Sequence, residues 1–171
     1  MREMTAEEDG SERDRAWMAE AIAEARRAEA LGEVPVGAVI VRDDEVIARG
    51  HNLTHTTDDP SGHAEMVAIR RAAEALGHWR LLDCTLYVTL EPCSMCAGAI
   101  VLSRIPRLVF AAHDPKAGMC GSLENLVQDP RLNHRVELTT GVRGAEAGDM
   151  LRDFFRRRRG ARVRTAEDTQ R

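Results

Sequence analysis

Apolar positions along the chain follow two different periods. Between residues 14 and 31, Trp17, Ala21, Ala25 and Ala28 recur at helical spacing, and Met18 and Ile22 widen the stripe. Asp14 or Ser11 is placed to cap that helix, and Gly32 to stop it. Val36-Gly37-Ala38-Val39-Ile40-Val41 is a short β-branched run, the pattern of a buried strand. Asp43-Asp44 signals a turn into a second strand at Val46-Ile47-Ala48. The polar stretch from Asn52 to Gly62, with Pro60, reads as loop. Helical spacing returns over 64–76, where Ala64, Val67, Ala68, Ala72 and Leu76 share a face, and Gly77 ends it. Residues 85–89 and 108–112 are two further strands. Between them lies a helix over 94–102, introduced by Pro92. Residues 113–122 read as loop, 123–127 as one helical turn and 136–138 as a weak fifth strand. A last helix covers 145–158, with Ala147, Met150, Leu151, Phe154 and Phe155 turned inward.

Strands separated by helices predict an α/β fold in three layers, α/β/α. A central mixed five-stranded sheet would carry helices on both faces. A chain of 171 residues can bury one core, so a single domain over 14–159 is expected. An acidic leader, 1–13, is expected to be flexible, and a basic and polar tail, 160–171, to be disordered.

Charge adds one point. The net charge of −4 hides an asymmetry: residues 1–14 hold six acids and two bases, whereas 152–164 hold seven arginines and one acid. Such a local basic patch suits nucleic acid, although a solvated helix face has the same composition. No run approaches the roughly 18–20 apolar residues that span a bilayer, and the N-terminus lacks the apolar centre of a signal peptide. A cytoplasmic protein with no membrane partner is expected. In a reducing compartment the four cysteines suit metal or catalytic use better than disulfides.

Cys93 and Cys96, three residues apart, offer two soft sulfur ligands at the start of a predicted helix, where the helix dipole favours thiolate. His63, at the start of another helix, offers a nitrogen. Three protein ligands are what a catalytic zinc site uses when its fourth position is left for water. Glu65, next but one to His63, is the candidate proton carrier. The pattern H-x-E … P-C-x-x-C is the signature of zinc-dependent deaminases that act on nucleobases. A redox C-x-x-C pair, or a structural zinc closed by Cys84 or Cys120, is the bland alternative. His51, His55, His78, His113 and His134 have no ligand spacing.

The signature leaves the base open, because cytidine, cytosine, guanine, deoxycytidylate and tRNA deaminases share this core. The flanks narrow it. Glu33-Val34-Pro35-Val36-Gly37-Ala38-Val39, the run from Asp83 to Cys93, Met95-Cys96-Ala97-Gly98-Ala99, Ser103-Arg104-Ile105, Gly121-Ser122-Leu123, the run from Asn133 to Glu137 and Asp153-Phe154-Phe155-Arg156-Arg157-Arg158-Arg159 resemble the bacterial tRNA-specific adenosine deaminases of the cytidine/deoxycytidylate deaminase superfamily. The resemblance spans about residues 14–159. It implies a cytidine-deaminase-like fold, one zinc per subunit on His63, Cys93 and Cys96, and Glu65 as proton shuttle. It also implies a homodimer. The substrate would be the wobble adenosine in the anticodon stem-loop of an arginine tRNA, converted to inosine by zinc-bound hydroxide attacking C6, with loss of ammonia. By position, Asn52 would lie near the target nucleotide, Asp114 would stand on the substrate-side loop, and Val36 and Leu90 would help wall the base pocket. Arg156, Arg157, Arg158 and Arg159 could grip phosphates. A free-nucleobase deaminase, and a non-catalytic RNA-binding or structural zinc protein, remain as alternatives.

Overall fold

The computed structural model describes residues 11–169. Helix α1 spans Glu12–Ala30 and is capped by Ser11, whose hydroxyl accepts the Asp14 N–H at 3.1 Å. The helix thus takes in residues 12 and 13 of the supposed leader; residues 1–10 lie outside the described residues. Strands β1 (Gly37–Arg42) and β2 (Glu45–His51) form an antiparallel hairpin. Its two turn residues, Asp43 and Asp44, have φ of 49° and 60°, the conformation that matches the twist of the flanking strands.

Helix α2 follows at Ala64–Leu76, strand β3 at Thr85–Leu90, helix α3 at Ser94–Leu102 and strand β4 at Arg107–Ala112. A short 3-10 turn at Leu126–Gln128, strand β5 (Glu137–Thr140) and helix α4 (Gly144–Thr169) complete the chain. The sheet order is β2-β1-β3-β4-β5, with β1 antiparallel to both β2 and β3, and β3, β4 and β5 mutually parallel. The five-stranded mixed sheet expected from the alternation of periods is therefore present.

Alternation along the central strands builds the two outer layers. Ala38, Ile40, Leu86, Val88, Leu108 and Phe110 face one way, into a core shared with Ala64, Ala68 and Ala72 of α2 and Ala97 and Ile100 of α3. Val39, Val41, Tyr87, Val109 and Ala111 face the other way, onto Met18, Ala21 and Ile22 of α1 and Ala147 of α4. Alanine seams let the helices sit close to the sheet. At Gly50 the approach is closest to the site: a Cβ there would come within 2.5 Å of the Ala64 carbonyl, so β2 accepts the first turn of α2 only without a side chain.

Two expectations about α4 need correction. The helix does not end near Arg158; it runs through Gly160 to Thr169, across most of the tail expected to be disordered, and residues 170 and 171 of that tail lie outside the described residues. One glycine costs about 1 kcal/mol against alanine, and Ala161, Arg162 and Arg164 are good helix formers that restore the balance. Phe155 is not inward but 41% exposed; the last side chains of α4 packed against the two cores are Met150 and Leu151. Among the described residues no helix is long and apolar enough to cross a membrane.

Candidate metal centre and active site

His63 is the N-cap residue of α2 and Cys93 the N-cap residue of α3, yet neither side chain caps its own helix. Both are left free to face one point. The Nδ1 of His63 lies 3.6 Å from the Sγ of Cys93 and 3.6 Å from that of Cys96, and the three donor atoms fall within 4.8 Å of one another. Tetrahedral zinc with bonds of about 2.3 Å to sulfur and about 2.0–2.1 Å to nitrogen separates such atoms by about 3.6 Å. Two thiols and one imidazole at this spacing fit zinc by donor chemistry and by distance. Among the described residues no fourth His, Cys, Asp or Glu joins the group. Cys84 is tied to the Leu82 carbonyl and Cys120 to that of Pro92, so neither closes the site.

The electrostatics favour thiolate at one sulfur and thiol at the other. A hydrogen bond from the Cys96 thiol, aided by the His63 ring, pulls Cys93 down to about 3. The same bond to Cys93, with burial, pushes Cys96 up. His63 is raised by its hydrogen bond to Cys93. Glu65, 4% exposed in the first turn of α2, is raised chiefly by burial.

His63, Glu65 and Cys93 line one cavity of about 240 Å³, together with Val36, Asn52, Leu90 and Asp114. Chain distance between these residues is bridged by the sheet: Val36 precedes β1, Asn52 follows β2 and Leu90 ends β3. The Oδ1 of Asn52 accepts the Ala64 N–H at 2.9 Å. A groove of about 820 Å³ adjoins the cavity, sharing Val34, Leu90 and Asp114 with it. Arg156 and Arg159 line that groove, with Arg152, Lys116 and Phe155.

With this geometry in view, comparison with known proteins is decisive. The family model of the MafB19-like deaminases matches residues 12–159. A tRNA-specific adenosine deaminase of Bacillus subtilis (strain 168) is 56% identical over 143 residues, covering 84% of this chain and 89% of that protein. One from Haemophilus influenzae is 50% identical over 150 residues, covering 87% of each. The chain belongs to the tRNA-specific adenosine deaminases. Its fold agrees with a solved structure from a study of A-to-I editing by tRNA:A34 deaminases at the wobble position of transfer RNA. That likeness has a TM-score of 0.77 at 45% identity, over 80% of this chain and 99% of the other.

Within this tRNA-specific adenosine deaminase, the four arginines read from the sequence as one run are divided by the helix. Arg157 pairs with Glu29 of α1 at 2.5 Å, and Arg158 lies over the Phe154 ring at 5.8 Å. Only Arg156 and Arg159, three residues apart on one helix face, turn to the groove.

Two buried carboxylates escaped the reading of the sequence. Glu33 accepts the backbone N–H and the hydroxyl of Thr56, at 2.6 and 2.9 Å, and fixes the loop after β2. Glu91 gathers donors from the 113–122 loop. Burial works to raise the Glu91 carboxyl, but the hydroxyl and amide of Ser122 and the amides of Asp114 and Cys120 outweigh it and hold it low. Each stands within two residues of a proline, as Glu33-Val34-Pro35 and Glu91-Pro92. A charged residue next to an apolar strand was the available signal.

Proposed function

We propose that this chain hydrolyses adenosine to inosine, releasing ammonia, at the wobble position of an arginine tRNA anticodon, and that it works as a homodimer with one zinc per subunit. Family membership makes it a deaminase of tRNA; the zinc and the deamination chemistry rest on the site, whereas the wobble position, the arginine tRNA and the homodimer rest on the likeness to that family. The observation that carries them is one cavity holding His63, Cys93 and Glu65 between an apolar wall, Val36 and Leu90, and a polar one, Asn52 and Asp114.

Zinc bound by His63, Cys93 and Cys96 would supply a water made nucleophilic near neutral pH. Glu65 would accept a proton from the nucleophile, pass it to the ring nitrogen beside the amino-bearing carbon and then help protonate the departing amine. Burial keeps bulk water from competing for those protons. Val36 and Leu90 flank the flat base. Asn52 has committed its carbonyl oxygen to Ala64, so its NH₂ group is what it offers to the nucleotide. A base enters such a cavity only when splayed from its stack, which an anticodon loop permits. Arg156 and Arg159 continue the path outward and contact phosphates irrespective of sequence.

The test is incubation of purified protein with an arginine tRNA anticodon stem-loop, with and without chelator, followed by inosine analysis. Inosine that disappears with the chelator is expected. Folded, zinc-loaded protein that makes none, and deaminates free guanine or cytosine instead, overturns the proposal in favour of a free-base enzyme.

A further inference from the structure

Glu91 follows Leu90 at the end of β3, two residues before Cys93, and is 2% exposed. Its Oε1 accepts the Asp114 N–H at 3.1 Å and the Ser122 hydroxyl. Its Oε2 accepts the N–H groups of Cys120 and Ser122, at 3.2 and 3.0 Å. The His113 ring nitrogen stands 3.5 Å from Oε1. The loop closes over the carboxylate without slack: a Cβ on Gly118 would come within 2.2 Å of Oε2. A second tie runs from the Met119 N–H to the Pro92 carbonyl at 2.9 Å.

A buried carboxylate is costly unless donors fill its lone pairs, and here four do. Those lone pairs are spent, so Glu91 is no proton carrier; that leaves the task to Glu65. What the four donors have in common is their segment. Asp114 and Ala117 of the same loop line the cavity of the metal centre, while His113 and Lys116 line the groove. We propose that Glu91 is a positioning residue for the deamination, locking the 113–122 loop so that its Asp114 face stands at a fixed distance from the metal ligands. Cys93 and the substrate-side wall then share one rigid frame, hung on the last turn of backbone between β3 and α3.

The inference rests on reading the cavity as the substrate pocket, and its test separates the two. Glu91→Gln replaces one oxygen by an NH₂ that faces at least one backbone N–H, wherever it is placed. The variant is compared with the parent in zinc content, in amide hydrogen exchange over 113–122, and in KM and kcat on the anticodon stem-loop. Glu91→Gln is expected to keep one zinc, to exchange the Asp114, Cys120 and Ser122 amides faster by roughly tenfold or more, and to raise KM by a similar factor with a smaller change in kcat. Glu91→Asp, which keeps the charge, should recover part of the KM. Ser122→Ala removes one donor and should shift exchange and KM less, in the same direction. Unchanged loop exchange and KM in zinc-loaded Glu91→Gln overturn the proposal. So does an activity loss that merely tracks lost zinc at constant KM. Should Glu91→Gln not fold, Ser122→Ala and Gly118→Ala carry the test, and unaltered exchange and KM in both overturn it. A parent that makes no inosine would sink the substrate reading, yet the exchange result would still decide whether Glu91 locks the loop.

Discussion

Asn52 caps the helix that His63 begins. His63 occupies the N-cap of α2 without bonding any of its free amides, and the Oδ1 of Asn52, arriving from the end of β2, accepts the Ala64 N–H at 2.9 Å. Helix capping and metal binding are thereby assigned to different residues. Asn52→Ala should cost about 1 kcal/mol, the usual worth of an N-cap, read as a lower denaturation midpoint. Asn52→Asp keeps the acceptor and should recover that stability. It loses the NH₂ offered to the nucleotide and should not recover turnover. Recovery of both would confine Asn52 to capping.

Three candidate ligands from two helix starts would make a bound metal a crosslink. Chelation, or replacement of His63, Cys93 or Cys96 by alanine, should remove one equivalent of zinc and lower Tm by about 5 °C or more, because a metal that binds only the folded chain stabilises it. Metal analysis and thermal melts with and without chelator check this. A Tm indifferent to chelator would mean that the three side chains hold no ion.

Glu65→Gln should separate metal from proton chemistry. The amide fits the same buried space in the cavity wall, so zinc and fold are expected to persist. Inosine formation should fall by about a hundredfold to ten-thousandfold, the range for loss of a general acid–base. Single-turnover assays at matched zinc content measure it, and parent-like rates would remove Glu65 from the mechanism.

Splitting the arginine run yields a comparison of pairs. Replacing Arg156 and Arg159 with glutamine should raise KM for the stem-loop and flatten its dependence on salt, since each lost phosphate contact lowers the slope by about one. Replacing Arg157 and Arg158 should do much less to RNA affinity, because these face Glu29 and Phe154. Equal effects from both pairs would mean that the groove is not the path of the RNA.

At the opposite end of the sheet, Asp14 should contribute to acid stability. Arg107 grips both its carboxylate oxygens at 2.8 Å, and the Tyr87 hydroxyl donates to Oδ1 at 2.9 Å. The Arg107 hydrogen bonds, against the opposing effect of burial, hold the Asp14 carboxyl below its usual 3.8. The native state thus binds that proton less readily than the unfolded chain. The stabilisation is complete above about pH 4 and fades as pH falls through the lower native value. Asp14→Asn should lose about 2 kcal/mol at neutral pH and show a shallower acid decline in urea titrations.

How far the sequence goes depends on the range of the interaction. Periodicity and punctuation are local, so α2 and α3 were read to the residue: Gly77 supplies the left-handed stop of one, and Pro92 leads into the other. The grouping of His63, Cys93 and Cys96 was legible because their spacing is itself a motif. Glu33, Glu91 and the Asp14–Tyr87–Arg107 network were not, because each bonds across 23 to 93 residues and only the fold selects the partner. The arginine run misled for a related reason. Sequence displays four neighbours side by side, whereas a helix distributes them around its circumference. Phe155 and the continuation past Gly160 show the limit of local stop signals: one glycine does not halt a helix, and an apolar residue late in a stripe is not thereby covered.

From Leu90 to Cys96 the polypeptide changes task at nearly every step: cavity wall, loop anchor, helix entry, first sulfur, second sulfur. Strand parity and helix phase set those assignments together, so one inserted or deleted residue there would reassign all of them at once. The surface loop between Asp129 and Val136 carries no such constraint. Over evolutionary time, changes of length are expected to accumulate in that loop, while the seven-residue junction keeps its length.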